Sequence, residues 1–171
     1  MHELEKYIRD IPDFPKPGII FKDITPLLKD PHGFQRAIEI LKEQVGVFKP
    51  DVFLAIESRG FVFGGALAFG LNKGLIVARK IGKLLYRSDR ISYQLEYGSN
   101  TLELHVDAIA PGQRVVVVDD LLATGGTAAA CGELIQKQGG VVAGFSFVVE
   151  LAFLQGRKKL IPHPISSILV Y

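Results

Sequence analysis

The chain has 171 residues, of which 48% are hydrophobic and 22% charged, an ordinary composition for a folded protein that sets aside disordered and fibrous classes and suits a single domain over 1–171 with its own core. A net charge of +2 supplies no general pull toward nucleic acid or membrane surfaces, and one cysteine, Cys131, allows no internal disulfide. With no apolar signal core at the N-terminus and no run of eighteen apolar residues, we expect a cytoplasmic protein without nucleic-acid or membrane partners.

Glu3 to Asp10 reads as a short amphipathic helix with Leu4 and Ile8 on one side. Ile11 to Gly18 holds three prolines and a glycine in eight residues, which makes it an irregular, fixed loop. Ile19, Ile20 and Phe21 form a brief apolar run, and Asp23-Ile24-Thr25-Pro26 a turn. Phe34, Ala37, Ile38, Leu41 and Val45 recur at helical spacing and predict a helix over Pro31–Gly46. A buried strand over Asp51–Ile56, an apolar helix over Gly60–Leu71 and a strand over Gly74–Ala78 come next. Arg79 to Arg90 carries Arg79, Lys80, Lys83, Arg87 and Arg90 among few apolar residues, and reads as a basic, mobile loop. Ser92–Tyr97 and Thr101–Val106 alternate around Gly98-Ser99-Asn100, the pattern of a hairpin, with Leu102, Leu104 and Val106 on one face. Val115–Val118 forms a strand, a helix runs through Gln138, and strands follow over Val141–Leu151 and Ser166–Tyr171, with Arg157-Lys158-Lys159 an exposed connection. Strands alternating with helices imply a parallel sheet with helices on both faces, whose ligands bind beyond the C-terminal strand ends.

The most informative run begins at Val115 and ends at Thr127. Four β-branched residues predict a strand buried on both faces. Asp119 and Asp120 close it, the small-residue loop Ala123-Thr124-Gly125-Gly126-Thr127 follows, and a helix starts at once. Paired glycines let backbone N–H groups approach an anion, and the helix start adds free donors and a positive dipole end, worth ~0.3–1 kcal/mol for a nearby charge. Two carboxylates beside this anion cradle lie where sugar hydroxyls would sit, so the run suits a sugar phosphate. It is neither a Walker loop nor a dinucleotide fingerprint.

Other candidates stand at other strand ends. Glu57-Ser58-Arg59-Gly60 follows the 51–56 strand, and Arg59 offers a planar fork suited to phosphate. Arg79, Lys80 and Lys83 add anion-binding charge, while Arg87 and Arg90 read as a solvated face. A basic loop running into a hairpin has the character of a lid that excludes water. On that hairpin, Glu96 reads from alternation as the polar face of a strand, and proton transfer is its functional alternative. The four histidines show no metal-ligand spacing, and Cys131 reads as a small buried helix residue.

The 115–127 run resembles the phosphoribosyl-diphosphate (PRPP) motif of type I phosphoribosyltransferases. Phe14 to Leu28, Glu57 to Phe61, Gly82-Lys83-Leu84, Ser92 to Gly98, Val149-Glu150-Leu151 and Gly156 to Leu160 resemble, in order, segments of adenine phosphoribosyltransferases, and the likeness spans essentially the whole chain. The resemblance implies an α/β type I phosphoribosyltransferase fold: a central, mostly parallel sheet with helices on both faces, a flexible lid hairpin and a small N-terminal hood. It implies the conversion of adenine and PRPP to AMP and diphosphate, in purine salvage, by a homodimer. Asp119 and Asp120 would hold the ribose hydroxyls and Ala123, Thr124, Gly125, Gly126 and Thr127 the 5′-phosphate. Ser58, Arg59, Arg79, Lys80 and Lys83 would face the diphosphate. Ile20, Phe21, Lys22 and Leu151 would form the adenine pocket, and Glu96 and Tyr97 the lid's catalytic pair. Mg²⁺ would arrive mainly on PRPP oxygens and water, without a dedicated protein ligand set. Ala123 stands where 6-oxopurine enzymes of the family carry aspartate. Lys22 replaces a frequent arginine and Leu85 a frequent proline, changes that bear on affinity and lid timing. A 6-oxopurine phosphoribosyltransferase and a non-catalytic PRPP-sensing regulator are the alternative readings.

Overall fold

A strand buried on both faces needs apolar side chains at both parities of its two-residue repeat, and few segments of this chain supply them. The computed structural model describes residues 2–14, 16–94 and 99–171, the side chains of 94 and 99 excepted. In chain order the elements are β1 (Arg9–Ile11), β2 (Phe21–Asp23), α1 (Thr25–Lys29), α2 (Pro31–Gly46), β3 (Val52–Ile56), α3 (Gly60–Gly70) and β4 (Gly74–Lys80). They continue with β5 (Ser88–Gln94), β6 (Ser99–His105), β7 (Arg114–Leu122), α4 (Gly126–Lys137), β8 (Val141–Glu150) and β9 (Ile165–Val170).

Seven strands form one sheet in the order β5-β6-β4-β3-β7-β8-β9, and β1 and β2 form a separate antiparallel ribbon. β4, β3, β7, β8 and β9 are mutually parallel, whereas β6 runs antiparallel to β4 and β5 antiparallel to β6. At the centre, β3 and β7 pair from Val52 opposite Val115 to Ala55 opposite Val118. Val115 and Val117 enter one core layer, with Leu54, Ile56 and the α4 residues Cys131, Leu134 and Ile135. Val116 and Val118 enter the other, with Phe53 and the α2 and α3 residues Leu41, Val45, Phe63 and Leu67. Asp30 caps α2 by accepting a 2.7 Å bond from the Gly33 amide, and Pro31 opens the helix. Among the described residues, no helix is long and apolar enough to cross a membrane.

Five local expectations change. Glu3 to Asp10 is not a helix: only Glu5–Tyr7 makes a single 3-10 turn, and Arg9–Ile11 pairs with Phe21–Asp23. That register places Lys22 2.7 Å from Asp10 and Arg9 3.7 Å from Asp23, and this non-local charge pairing prevails over a helix too short to hold itself. The 23–26 turn is the start of α1, because the Asp23 carboxylate accepts from both the amide and the hydroxyl of Thr25. The basic stretch is shorter than Arg79–Arg90: β4 continues through Lys80, where it pairs with β6, and β5 begins at Ser88. Finally, Arg157 is tied down, donating to Glu150 at 2.6 Å and to the Ile165 carbonyl at 3.3 Å. Val106, grouped with Leu102 and Leu104 by alternation, lies just past β6 and is exposed.

Phe53 is fully buried between the sheet and its α2/α3 layer. Phe53→Ala is expected to cost about 3–5 kcal/mol, read from urea unfolding, because the surrounding layer can collapse only in part. A loss under about 1 kcal/mol contradicts this packing.

Candidate active site

The parallel strands β3, β4, β7 and β8 end on the same side of the sheet, and the side chains at those ends face one cleft. β7 continues past its valines through Asp119 and Asp120 to Leu122, and the loop Ala123–Gly125 then turns into α4. Gly125 is the N-cap of α4 with φ +77°, a left-handed conformation suited to glycine. Because glycine has no side chain, it caps nothing, and the first amides of this 12-residue helix keep their donors free of side-chain caps. A cavity of about 160 Å³ lies against them, lined by Asp119, Leu121, Leu122, Ala123 to Ala128 and Phe147.

The cradle rests on bare backbone. A Cβ at Gly125 would collide with the Gly156 carbonyl, and a Cβ at Gly156 with the Ala123 carbonyl. Gly156 belongs to a single 3-10 turn, Gly156–Lys159, which Arg157 anchors to Glu150 and to the Ser167 hydroxyl. Sequence reading treats this segment only as a connection within a family motif; the signal for its role is a glycine immediately before a basic run.

The second cavity, about 250 Å³, is lined by Glu57, Ser58, Arg59, Lys80, Asp119 and Asp120, so Asp119 is the wall it shares with the cradle. Arg59, at the N-cap of α3, donates through Nε to Asp120 Oδ2 at 2.5 Å. α3 comes this close to β7 because Gly60 lacks a side chain: a Cβ there would lie 2.8 Å from the Val118 carbonyl oxygen. The peptide joining Glu57 to Ser58 is cis. Glu57, for which no sequence pattern indicates a role, accepts from Arg79 Nη2 at 3.1 Å, from Arg79 Nε at 3.4 Å and from the Lys80 amide at 2.9 Å. Arg79 therefore turns toward Glu57 and, through Nη1, toward the Lys83 carbonyl at 3.1 Å, while the exposed Lys80 lines the cavity.

The electrostatics separate the acids. Burial, reinforced by the neighbouring Asp120 carboxylate, pushes Asp119 well above the usual aspartate range. The Arg79 guanidinium holds Glu57 below the usual glutamate range against its partial desolvation. Cys131 is fully buried, and burial raises its thiol, so it is no nucleophile.

A third cavity, about 310 Å³ and mostly apolar, opens beside the end of β8 and is lined by Gly18, Ile19, Ile20, Lys22, Leu151, Phe153 and Tyr171. It gathers three of the four residues expected at adenine, Ile20, Lys22 and Leu151. Phe21 stands next to them, its ring 6.0 Å from the Arg59 guanidinium and edge-on to Phe14 at 5.3 Å. The Lys22 ammonium is held by Asp10 at 2.7 Å and lies 3.9 Å above the Tyr171 ring. Phe153 and Tyr171 are additions that sequence reading misses, because nothing local marks a C-terminal residue as part of a site built mainly from the N-terminus.

Glu96 and Tyr97 lie outside the described residues. The strand leading to them is joined to the cradle: Thr127 Oγ1 and Tyr93 Oη are 3.2 Å apart. Among the described residues, no group of three or more His, Cys, Asp or Glu side chains is gathered as a metal cage.

Residues 24–160 match the family model described as a phosphoribosyl transferase domain. An adenine phosphoribosyltransferase of Carboxydothermus hydrogenoformans is 54% identical over 169 residues, which cover 99% of each chain. The crystal structure of adenine phosphoribosyltransferase from Thermoanaerobacter pseudethanolicus superposes with a TM-score of 0.95 at 50% identity, covering 99% of this chain and 98% of that one. The Saccharomyces cerevisiae enzyme, complexed with an imino-altritol bisphosphate and adenine, superposes with a TM-score of 0.91 at 40% identity over 98% of this chain and 97% of that one. A cradle of helix-start amides beside twin carboxylates, on a chain related in sequence over its whole length, places this protein in the adenine phosphoribosyltransferase family.

Proposed function

We propose that this chain transfers the 5-phosphoribosyl group of PRPP to adenine, releasing diphosphate and forming AMP. The observation that carries the reading is the shared wall: one carboxylate, Asp119, borders both the uncapped helix start and the second cavity, where Arg59 and Lys80 stand among carboxylates. A molecule with a phosphate at one end, hydroxyls in the middle and a diphosphate at the other matches that succession. The yeast relative, solved with adenine and a sugar-like bisphosphate, supports the same match.

In this reading the amides of Thr124 to Thr127 hold the 5′-phosphate against Ala123, and Asp119 and Asp120 accept the ribose hydroxyls. Arg59 leaves Asp120 for the diphosphate, beside Ser58, Lys80 and Lys83. Arg59 is about 45% exposed and can swing outward, while the buried Asp120 it leaves takes the ribose hydroxyls as its new donors. Arg79 acts at one remove, through Glu57. The bond from the sugar's anomeric carbon to diphosphate breaks as the bond to adenine N9 forms, and the N9 proton passes to a base, the role we give Glu96, with Tyr97 beside the sugar. Ile20, Phe21, Lys22 and Leu151 receive the adenine ring. The two cleft carboxylates and the Ser58 hydroxyl are hard oxygen donors of the kind that accept Mg²⁺ held mostly by substrate phosphates and water. That ion supplies charge neutralisation on the leaving diphosphate.

The outer face of α3 supports the homodimer reading. Val62 and Phe69 are 42% and 92% exposed there, and Leu75 of the adjoining β4 is 40% exposed. We propose that a second copy covers them. Sedimentation of the wild-type chain is expected to show a dimer at micromolar concentration and Phe69→Asp a monomer; a wild-type monomer contradicts the assignment.

With PRPP and Mg²⁺, turnover of adenine is expected to exceed that of hypoxanthine, guanine or xanthine by roughly 10²-fold or more, since backbone groups around Ile20 and Lys22 that would read a 6-amino edge would stay unpaired on an oxo edge. Equal turnover of hypoxanthine makes the chain a 6-oxopurine enzyme, and PRPP binding without AMP formation makes it a sensor.

Asp119→Asn tests the raised carboxyl. A carboxyl lifted in the folded state penalises folding above its unfolded value, so the amide is expected to stabilise the protein at neutral pH. The gain closes as pH falls toward about 4, where the unfolded aspartate also protonates. The same variant is expected to raise the KM for PRPP at least tenfold. Thermal melts at several pH values with steady-state kinetics check both effects; a destabilised variant with normal kinetics contradicts the role.

A further inference from the structure

Glu103 has no part in the chemistry above, yet its exposure is 0%, the lowest of any carboxylate among the described residues. A carboxylate leaves water only where donors replace it. Here the Lys83 and Leu84 amides each donate to Oε1 at 3.1 Å, the Ser88 hydroxyl donates to Oε2 at 3.0 Å, and Arg90 Nε stands 3.3 Å from Oε2. Glu103 lies on β6, opposite Arg79 of β4 on one side and Arg90 of β5 on the other. Its donors come from the connection between β4 and β5, residues 81–87, and from the start of β5. The connection thus wraps one internal carboxylate much as a backbone nest wraps an anion.

The outer side of this connection faces the cleft. Its Lys83 carbonyl accepts from Arg79, which Glu57 holds, and Glu57 lines the second cavity together with Lys80. The Lys83 backbone thus lies beside the Arg79–Glu57 pair, one step from the cavity wall. We propose that Glu103 is a positioning residue for the diphosphate: by gathering the Lys83 and Leu84 amides it fixes the 81–87 connection so that Lys80 and Lys83 present their charge to the cleft. Burial opposes its ionised form, but the amides and the Ser88 hydroxyl outweigh burial and hold the carboxyl below the usual range, so the anchor stays charged at neutral pH. Alternation along β6 hides this role, since Glu103 falls on the face opposite Leu102 and Leu104, which in an isolated hairpin is the wet one.

The role rests on the phosphoribosyl-transfer reading, and its test separates the two. In Glu103→Gln the side-chain NH₂ meets donors where acceptor oxygens are needed. The KM for PRPP is expected to rise at least tenfold while the KM for adenine stays within twofold. A merely structural loss lowers kcat through the folded fraction and leaves both KM values in place. Ser88→Ala removes one donor and is expected to raise the KM for PRPP two- to fivefold, which keeps the test open should the glutamine variant fail to fold. Independently of activity, trypsin is expected to cut the full-length Ser88→Ala chain after Lys83 and Arg87 at least threefold faster than the wild type. A wild-type chain that makes no AMP overturns the reading of the cleft, and the cleavage rates then still decide the anchor. Unchanged cleavage, or unchanged PRPP kinetics in an active chain, overturns the role of Glu103.

Discussion

The parallel pairing of β3 with β7 is the constraint on which the cleft depends. It aligns two central strands so that one ends on Glu57-Ser58-Arg59 and the other on Asp119-Asp120, with Arg59 meeting Asp120 across the gap. Neither strand can slip by one residue, because a slip would exchange the side chains that fill the two core layers. The charges at the strand ends therefore inherit their spacing from packing far below them. The flanking strands extend the arrangement, β4 bringing Arg79 and Lys80 and β8 bringing Glu150 and Leu151.

Within that frame the cleft and its surroundings are laced by internal ion pairs. Arg59 rests on Asp120, Arg79 on Glu57, Arg157 on Glu150 and Lys22 on Asp10. The pairs differ in kind. Arg59 is half-exposed and bonds through one nitrogen, whereas Arg79 is held through two nitrogens by a carboxylate that also takes the Lys80 amide. This difference separates a group free to meet substrate from one that braces the cleft, a distinction invisible to a reading that sees only basic residues. Among the described residues no side chain caps the cradle, since Gly125 offers none to the first turn of α4.

What was legible in the chain was what is local. The valine run, the helical spacing over Pro31–Gly46 and the acid pair followed by glycines and a helix start each lie within a few turns of backbone, and each stands where the pattern placed it. The 9–11 strand, the true extent of β4 and the enclosure of Glu103 were not legible, because each depends on a partner brought near only by folding. Glu57 and Arg79 are 22 residues apart, and Glu103 and the Lys83 amide 20. The contact of Gly125 with Gly156 is of the same type: a glycine chosen for its lack of a side chain looks, in sequence, like any other turn glycine.

The central claim is that bare backbone at the start of α4, with the two aspartates beside it, grips the phosphoribosyl end of the substrate. Calorimetric titration of PRPP with Mg²⁺ into the wild-type chain and into Gly125→Ala tests it most directly, with circular dichroism confirming the fold of both. The account predicts one site per chain in the wild type and affinity weakened at least a hundredfold in the variant, whose Cβ would force the cradle off Gly156. Equal affinity in the two proteins, or no binding to the wild type, contradicts it.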